Sequence, residues 1–140
     1  MGFLVKLDTN GSYPDALEAL LDEGLLDYVA MDIKNAPSAY AETAGTDKDI
    51  LPAVTKSIAL LKAGRVPYEF RTTVVKGLHD QARMREIGAW LGDVPGYFIQ
   101  NFSDRGEILT EGLSGFTPSE LEGLLAAVKP SIPSAKIRGL

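Results

Sequence analysis

Residues 28–34, Tyr-Val-Ala-Met-Asp-Ile-Lys, are the stretch that decides the fold. The run is almost continuously apolar, which predicts a strand that is buried on both faces, as in a parallel sheet. The segment that follows, Lys34-Asn35-Ala36-Pro37, breaks the strand. A parallel neighbour can be reached only through a long crossover connection, so we expect helices on either side of this strand in the sequence.

Strand-like and helix-like segments alternate from this stretch outward in both directions. The strands are predicted to start at about residues 3, 28, 67, 97 and 135. Between them, apolar residues recur at helical spacing, and Gly24, Gly64 and Gly92 end the first three helices. The fourth helix is predicted to begin with a capping box, Thr-Pro-Ser-Glu, at residues 117–120.

The resulting order, βαβαβαβαβ, predicts an α/β fold with a mainly parallel sheet of four or five strands and covering helices. A complete (β/α)₈ barrel needs about 250 residues, whereas the chain has 140. The sheet is therefore either open and doubly wound, or a partial TIM-like barrel that belongs to a larger one. The first strand begins within two residues of Met1, which fits a barrel whose earlier strands are missing. No linker interrupts the pattern, so residues 1–140 are expected to form a single domain.

Composition excludes several classes of function. The net charge is −5, from 14 Lys and Arg against 19 Asp and Glu, and this argues against a surface for bare nucleic acid, which needs clustered cations. No apolar run approaches the roughly 20 residues that cross a bilayer, and the N-terminus carries no signal-peptide pattern, so a cytoplasmic protein is expected. The chain has no cysteine, which excludes thiolate nucleophiles and cysteine-ligated metals within it.

Polar residues follow the predicted strands at their carboxyl ends, where parallel βα folds bind ligands. Carboxylates hold an ammonium group, a ribose hydroxyl or a hard cation, and Arg or Lys holds a carboxylate or phosphate. The only imidazole, His79, precedes a predicted helix, and a capping context or simple exposure is expected for it rather than catalysis. The candidate residues for one small polar ligand are Asp8, Asp32, Lys34, Arg71 and Gln100.

Three of these candidates also have a purely structural interpretation. Asp8 is a residue type that caps helices, so it can serve the helix that follows it. Asp32 shares its strand face with Lys34, and an ion pair between the two would satisfy both. By the same two-residue period, Arg71 can pair with Glu69.

Taken together, the strand ends resemble the later part of radical S-adenosylmethionine activating enzymes. The segments that carry the resemblance are residues 7–11 (Leu-Asp-Thr-Asn-Gly), 28–34, 69–75 (Glu-Phe-Arg-Thr-Thr-Val-Val) and 97–102 (Tyr-Phe-Ile-Gln-Asn-Phe). Their order and spacing are most similar to the activating proteins of anaerobic ribonucleoside-triphosphate reductase, with pyruvate formate-lyase activating enzymes as near relatives. The resemblance covers nearly the whole chain.

The resemblance implies a partial (β/α)₆ barrel, S-adenosylmethionine as cofactor, and a [4Fe–4S] cluster on a C-x-x-x-C-x-x-C motif after the first strand of the barrel. Reductive cleavage then gives a 5′-deoxyadenosyl radical, which takes a hydrogen from a glycine of a partner glycyl-radical enzyme, here one like anaerobic ribonucleotide reductase. In the pyruvate formate-lyase group, the aspartates at the first two segments help to form a cation and cofactor region. The resemblance assigns no catalytic residue and no metal ligand to this chain, and it matches Asp8, Thr9, Asp32, Lys34 and Arg71 to the cofactor region of the family. Together with Asn10 and Gln100, which stand at the same strand ends, these are the residues predicted to bind the cofactor.

The cluster motif has no counterpart here, because the chain has no cysteine, and the family's first three strands have none either. We therefore expect the C-terminal half of such an enzyme, inactive in radical chemistry alone, with an unpaired first-strand edge that favours self-association. Two alternatives stay open. Lys34 at a strand end can form a Schiff base, as in barrel aldolases, or the chain is a non-catalytic βα scaffold that binds a nucleotide-like ligand or a partner subunit.

Overall fold

The computed structural model of the protein describes residues 4–40, 50–102 and 115–138. Strands and helices alternate through these residues as the sequence predicts, and the predicted α/β class is confirmed. In chain order the elements are β1 (Lys6–Thr9), α1 (Pro14–Asp22), β2 (Tyr28–Asp32), a short 3-10 helix (Pro37–Ala39), α2 (Leu51–Lys62), β3 (Tyr68–Val74), α3 (Gln81–Leu91), β4 (Tyr97–Asn101), α4 (Pro118–Val128) and β5 (Ala135–Arg138).

All five strands are parallel and lie in one sheet in the order β1-β2-β3-β4-β5. A doubly wound sheet reverses its strand order at a switch point, and this order contains no reversal. Because parallel crossovers are right-handed in nearly every protein, an unreversed order brings each connecting helix to the same side of the sheet. The described part of the chain is therefore a singly wound βα sheet.

One apolar core lies between the helices and one face of the sheet. The core cluster takes side chains from all four α-helices, for example Leu17, Val54, Met84 and Leu121. From the strands it takes alternate residues, which point to the same side of a pleated sheet. These strand residues are Val29, Met31, Phe70, Val74, Tyr97, Ile99 and Ala135.

The opposite face of the sheet, which we call the open face, is covered by no element that the structure describes. Its side chains are those that alternate with the core residues, and they are mostly polar or charged. Cross-strand register places them in rows; Lys6 lies opposite Tyr28, and Asp32 lies opposite Arg71. The open face consists of Lys6, Asp8, Tyr28, Ala30, Asp32, Glu69, Arg71, Thr73, Phe98, Gln100, Lys136 and Arg138.

Side-chain caps mark the starts of α3 and α4. The predicted capping box of α4 is confirmed: the Glu120 amide donates to Thr117 Oγ1 at 3.2 Å, and the Thr117 amide donates to Glu120 Oε1 at 2.9 Å. Asp80 caps α3 by accepting from the Arg83 amide at 2.8 Å. These side chains satisfy amide groups that a helix leaves unpaired in its first turn.

β1 begins later than the sequence suggests, at Lys6, and Phe3 lies outside the described residues. The chain before it is held by Asp27, whose carboxylate accepts from the Val5 amide at 2.7 Å. The Asp27 amide in turn donates to the Val5 carbonyl at 2.8 Å. This reciprocal pairing aligns β1 with β2 and places Asp8 one row before Asp32.

Gly11 packs the turn after β1 directly against the core. Its φ of +76° is left-handed, and a Cβ there would lie 2.2 Å from Met31 Cε. The carbonyl of Gly11 accepts a hydrogen bond of 2.8 Å from the buried Ser57 hydroxyl of α2. Glycine is needed at this position because any side chain would meet β2.

Candidate functional site

The centre of the candidate site is a charged trio on the open face, formed by Asp8, Asp32 and Arg71. Arg71 Nε donates to Asp32 Oδ1 at 2.6 Å, and Arg71 Nη2 lies 3.3 Å from Asp8 Oδ1. The guanidinium side chain is 19% exposed, whereas the Asp32 and Asp8 side chains are 38% and 61% exposed. Three different strands thus bring their predicted site residues together, with the carboxylates toward solvent.

The trio is electrostatically preorganised and carries one net negative charge. The hydrogen bond to Asp32 raises the pKa of Arg71, and the charges of Asp32 and Asp8 add to it, while burial opposes the rise. The guanidinium therefore stays protonated and fixes both carboxylates. Two carboxylates against one guanidinium leave one charge unneutralised, which suits an ammonium group or hydroxyl donors of a ligand.

A pocket of about 190 Å³ opens beside Asp32 at the carboxyl end of the sheet. Its lining is part apolar and part polar, and Lys34 is its exposed residue with an ammonium group. Within the described residues, the Lys34 ammonium has no ion-pair partner. The lining residues are Asp32, Ile33, Lys34, Thr73, Val75, Leu78 and His79.

Gln100 lies on the same face, one row beyond Arg71 toward the carboxyl end. Its Cα partners are Thr73 of β3 and Arg138 of β5. In the part of the chain that the structure describes, its half-buried amide makes no side-chain hydrogen bond. Gln100 therefore borders the site without belonging to the trio.

Thr9 and Asn10 are engaged in the turn between β1 and α1. Thr9 Oγ1 accepts from the Gly11 amide at 3.1 Å, and Asn10 Oδ1 accepts from the Ser12 amide at 2.9 Å. Such side-chain bonds stabilise a tight turn. These contacts give both residues a structural role, and their part in cofactor binding stays a prediction.

All three structural interpretations of the candidates are wrong. Asp8 does not cap α1, because the N-cap position is Tyr13 and no side chain caps that end. Glu69 does not pair with Arg71 but with Arg138, at 3.0 Å between Nη1 and Oε2. Among the described residues, the ion pair of Asp32 is with Arg71 and not with the neighbouring Lys34.

His79 is buried, only 5% exposed, so the expectation of simple exposure is wrong. Its Nδ1 accepts from the Val75 amide at 3.0 Å, and its Nε2 lies 2.8 Å from the Lys34 carbonyl oxygen. Burial lowers the pKa of His79, and the hydrogen bond to the Lys34 carbonyl oxygen opposes this effect. The imidazole therefore joins the turn after β3 to the turn after β2.

A second polar cluster on the open face was not foreseen from the sequence. Glu69 is 4% exposed; it accepts from the Tyr28 hydroxyl at 2.7 Å and from Arg138 at 3.0 Å. Burial alone would raise the pKa of Glu69, but the bonds from Tyr28 and Arg138 outweigh it and the pKa is lowered. Burial and the bond to Glu69 raise the pKa of Tyr28 to about 12. The Arg138 guanidinium also lies 3.8 Å from the centre of the Phe98 ring.

Fold and site together define an α/β protein whose singly wound parallel sheet presents a charged, ligand-sized face at the carboxyl ends of its strands. No protein-family model matches the chain. Over 107 residues the chain is 36% identical to a protein of Methanocaldococcus jannaschii that is provisionally named a glycyl-radical enzyme activating enzyme. The aligned segment covers 74% of this chain and 45% of that protein, so the chain spans less than half of its relative's length.

Proposed function

We propose that this chain is the cofactor-side, C-terminal part of a radical S-adenosylmethionine enzyme that activates a glycyl-radical enzyme. The finer assignment, activation of an anaerobic ribonucleoside-triphosphate reductase, rests on the order of the four strand-end segments in the sequence. The observation that carries the proposal is the trio, because residues 24 to 63 positions apart in the chain converge on one face. The similarity to the Methanocaldococcus jannaschii protein supports the same proposal.

The residues present fit an amino acid attached to a nucleoside. The net negative charge of the trio suits the ammonium and hydroxyl groups of such a ligand, and the exposed Lys34 suits its carboxylate. The pocket beside Asp32 has about 190 Å³, less than the roughly 300–1,000 Å³ of a complete ligand pocket. It would hold one portion of S-adenosylmethionine while the rest lies on the open face.

In this proposal the chain binds and orients the cofactor. Asp8 and Asp32 accept hydrogen bonds from the ligand, Arg71 holds the two carboxylates in place, and Lys34 binds the ligand carboxylate. S-adenosylmethionine, when bound, supplies the radical chemistry of this class of enzyme. The residues do not fit an iron–sulfur cluster, because the chain contains no cysteine, and no step through a cluster is assigned to it.

The singly wound sheet is also the arrangement expected of a barrel wall. All four described helices lie on one face, and the open face would then line the interior of a partial barrel. The same arrangement is compatible with a scaffold that binds a nucleotide-like ligand without catalysis. The Schiff-base alternative is not favoured, because Lys34 is exposed, whereas such lysines are activated in apolar surroundings.

Titration of the ¹⁵N-labelled chain with millimolar S-adenosylmethionine tests the site directly. We expect amide shifts confined to the ends of β1, β2 and β3, and their loss in Lys34→Gln and Asp32→Asn. Lys136→Gln is a matched control, because Lys136 lies on the same face but outside the trio and the pocket. Shifts that are absent, or that concentrate on the helices, would contradict the proposed site.

A chimeric protein distinguishes the proposed activating enzyme from a non-catalytic scaffold. The aligned segment of the Methanocaldococcus jannaschii protein would be replaced by this chain, and the reduced chimera would be assayed anaerobically for 5′-deoxyadenosine. Release of 5′-deoxyadenosine that Asp32→Asn suppresses would support the activase. An inactive chimera beside an active parent protein would favour the scaffold.

A further inference from the structure

We propose that His79 is a positioning residue that holds the Lys34 turn, so that the Lys34 ammonium meets the carboxylate of the ligand. This inference rests on the proposed function and assigns a role to a buried imidazole that the cofactor contacts do not use. His79 lies 45 positions from Lys34 in the sequence. The link between them is a hydrogen bond between two residues that line the pocket.

The hydrogen bonds of His79 define its protonation state. Nδ1 accepts from the Val75 amide, so that nitrogen carries no proton. Nε2 must then carry the proton and donate to the Lys34 carbonyl oxygen at 2.8 Å. The ring is a neutral imidazole with both nitrogens in use, and it has no lone pair or proton left for catalysis.

The Lys34 backbone is held from the other side as well. Its amide donates to the Tyr40 hydroxyl at 3.1 Å, and the Tyr40 ring packs edge-on against Trp90 of α3 at 5.8 Å. Both chain neighbours, Ile33 and Asn35, are fully buried. The amide and the carbonyl of Lys34 are thus both held by hydrogen bonds, while the residue itself is exposed beside the pocket.

We call the hydrogen bonds from His79 and Tyr40 to the Lys34 backbone the Lys34 clamp. It raises ligand affinity, because the Lys34 backbone is already ordered when the ligand binds. Fixing one residue's backbone has an entropic cost, and here the fold meets that cost before the ligand arrives. Loss of the bond to the Lys34 carbonyl is expected to weaken binding of a carboxylate-bearing ligand about tenfold. A ligand without the carboxylate makes no use of Lys34 and should be affected within about twofold.

Two substitutions separate the functions of the two ring nitrogens. His79→Asn keeps an acceptor near Nδ1 but loses the donor to Lys34, whereas His79→Gln keeps a donor near Nε2. The chain and both variants would be titrated by NMR with S-adenosylmethionine and with its decarboxylated analogue. We expect a selective loss for the carboxylate-bearing ligand in His79→Asn and partial retention in His79→Gln.

A double-variant cycle shows whether His79 acts through Lys34. In a Lys34→Gln background, His79→Asn should cause no further loss of S-adenosylmethionine affinity. Additive losses, or equal losses for both ligands, would mean that His79 supports the fold only and would overturn the inference.

Hydrogen exchange tests, without a ligand, whether His79 holds the Lys34 backbone in place. The Lys34 amide should exchange faster in His79→Asn than in the parent chain, and an unchanged rate would overturn the clamp. If the parent chain bound neither ligand, the proposed function and the ligand part of the inference would both fail. A faster Lys34 exchange in that case would identify the failure as one of ligand assignment.

Discussion

Replacing Gly11 by alanine should destabilise the protein through two separate effects. The backbone at Gly11 has φ +76°, and the left-handed conformation costs a residue with a Cβ about 1–2 kcal/mol. The new methyl group would also lie 2.2 Å from Met31 Cε and 3.4 Å from Ser57 Cβ. Met31 is fully buried, but its side chain is flexible, so overpacking adds about 1 kcal/mol, the low end of its usual range.

Gly24→Ala is the matched control for the first effect alone. Gly24 also has a left-handed φ, +67°, but a Cβ there would meet no atom within 4 Å. Both variants restrict the unfolded chain equally, so the difference between their free energies of unfolding isolates the contact with Met31. We expect Gly11→Ala to lose about 2–3 kcal/mol and Gly24→Ala about 1–2 kcal/mol.

Urea unfolding followed by circular dichroism measures both values. The unfolding midpoint should fall further for Gly11→Ala than for Gly24→Ala, with unchanged dependence on urea concentration. Equal losses in the two variants would refute the argument that the turn after β1 is packed against Met31.

The remaining predictions concern a histidine, a buried carboxylate and a helix cap. Burial lowers the pKa of His79 below 6.5, so the unfolded chain takes up a proton at this residue first as the pH falls. The free energy of unfolding should therefore decrease as the pH drops from 6.5 toward 5, by up to about 1.4 kcal/mol per pH unit. Urea titrations of His79→Asn should show a weaker dependence of this free energy on pH. Glu69→Gln should lose about 1–2 kcal/mol at pH 7, and since the pKa of Glu69 is lowered, the deficit should shrink as pH falls below 4.5 in the same assay. Thr117→Ala should cost about 1 kcal/mol by removing the capping box of α4, whereas the exposed Ser119→Ala should be nearly neutral in thermal unfolding.

The alternation of strands and helices could be predicted because its signals are local. The apolar run of residues 28–33, the helical spacing from Val54 to Leu61 and the capping box at Thr117 each lie within one element. These periodicities and caps need no knowledge of neighbouring elements. The sequence predicts too early a start for β1, because the pairing of this strand depends on Asp27, 22 residues away from its partner Val5.

The partners of the charged residues could be predicted only in part. Convergence of Asp8, Asp32 and Arg71 followed from the rule that parallel strands end at one edge. Glu69 pairs with Arg138, which is 69 positions away in the sequence, and not with the nearby Arg71. The hydrogen bond from His79 to Lys34 likewise joins residues that are 45 positions apart. Period-two alternation gives the face of a residue, but the register between strands decides which opposite charge it meets.

The contact between Arg138 and Glu69 also has a mechanical consequence. Arg138 belongs to β5, the strand at one side of the sheet, and it crosses the Phe98 ring of β4 to reach β3. An edge strand that is held only by backbone hydrogen bonds can separate from the sheet one hydrogen bond at a time. Here the Arg138 guanidinium reaches across β4, so β5 can detach only when its backbone hydrogen bonds, the contact with the Phe98 ring and the ion pair with Glu69 are broken together.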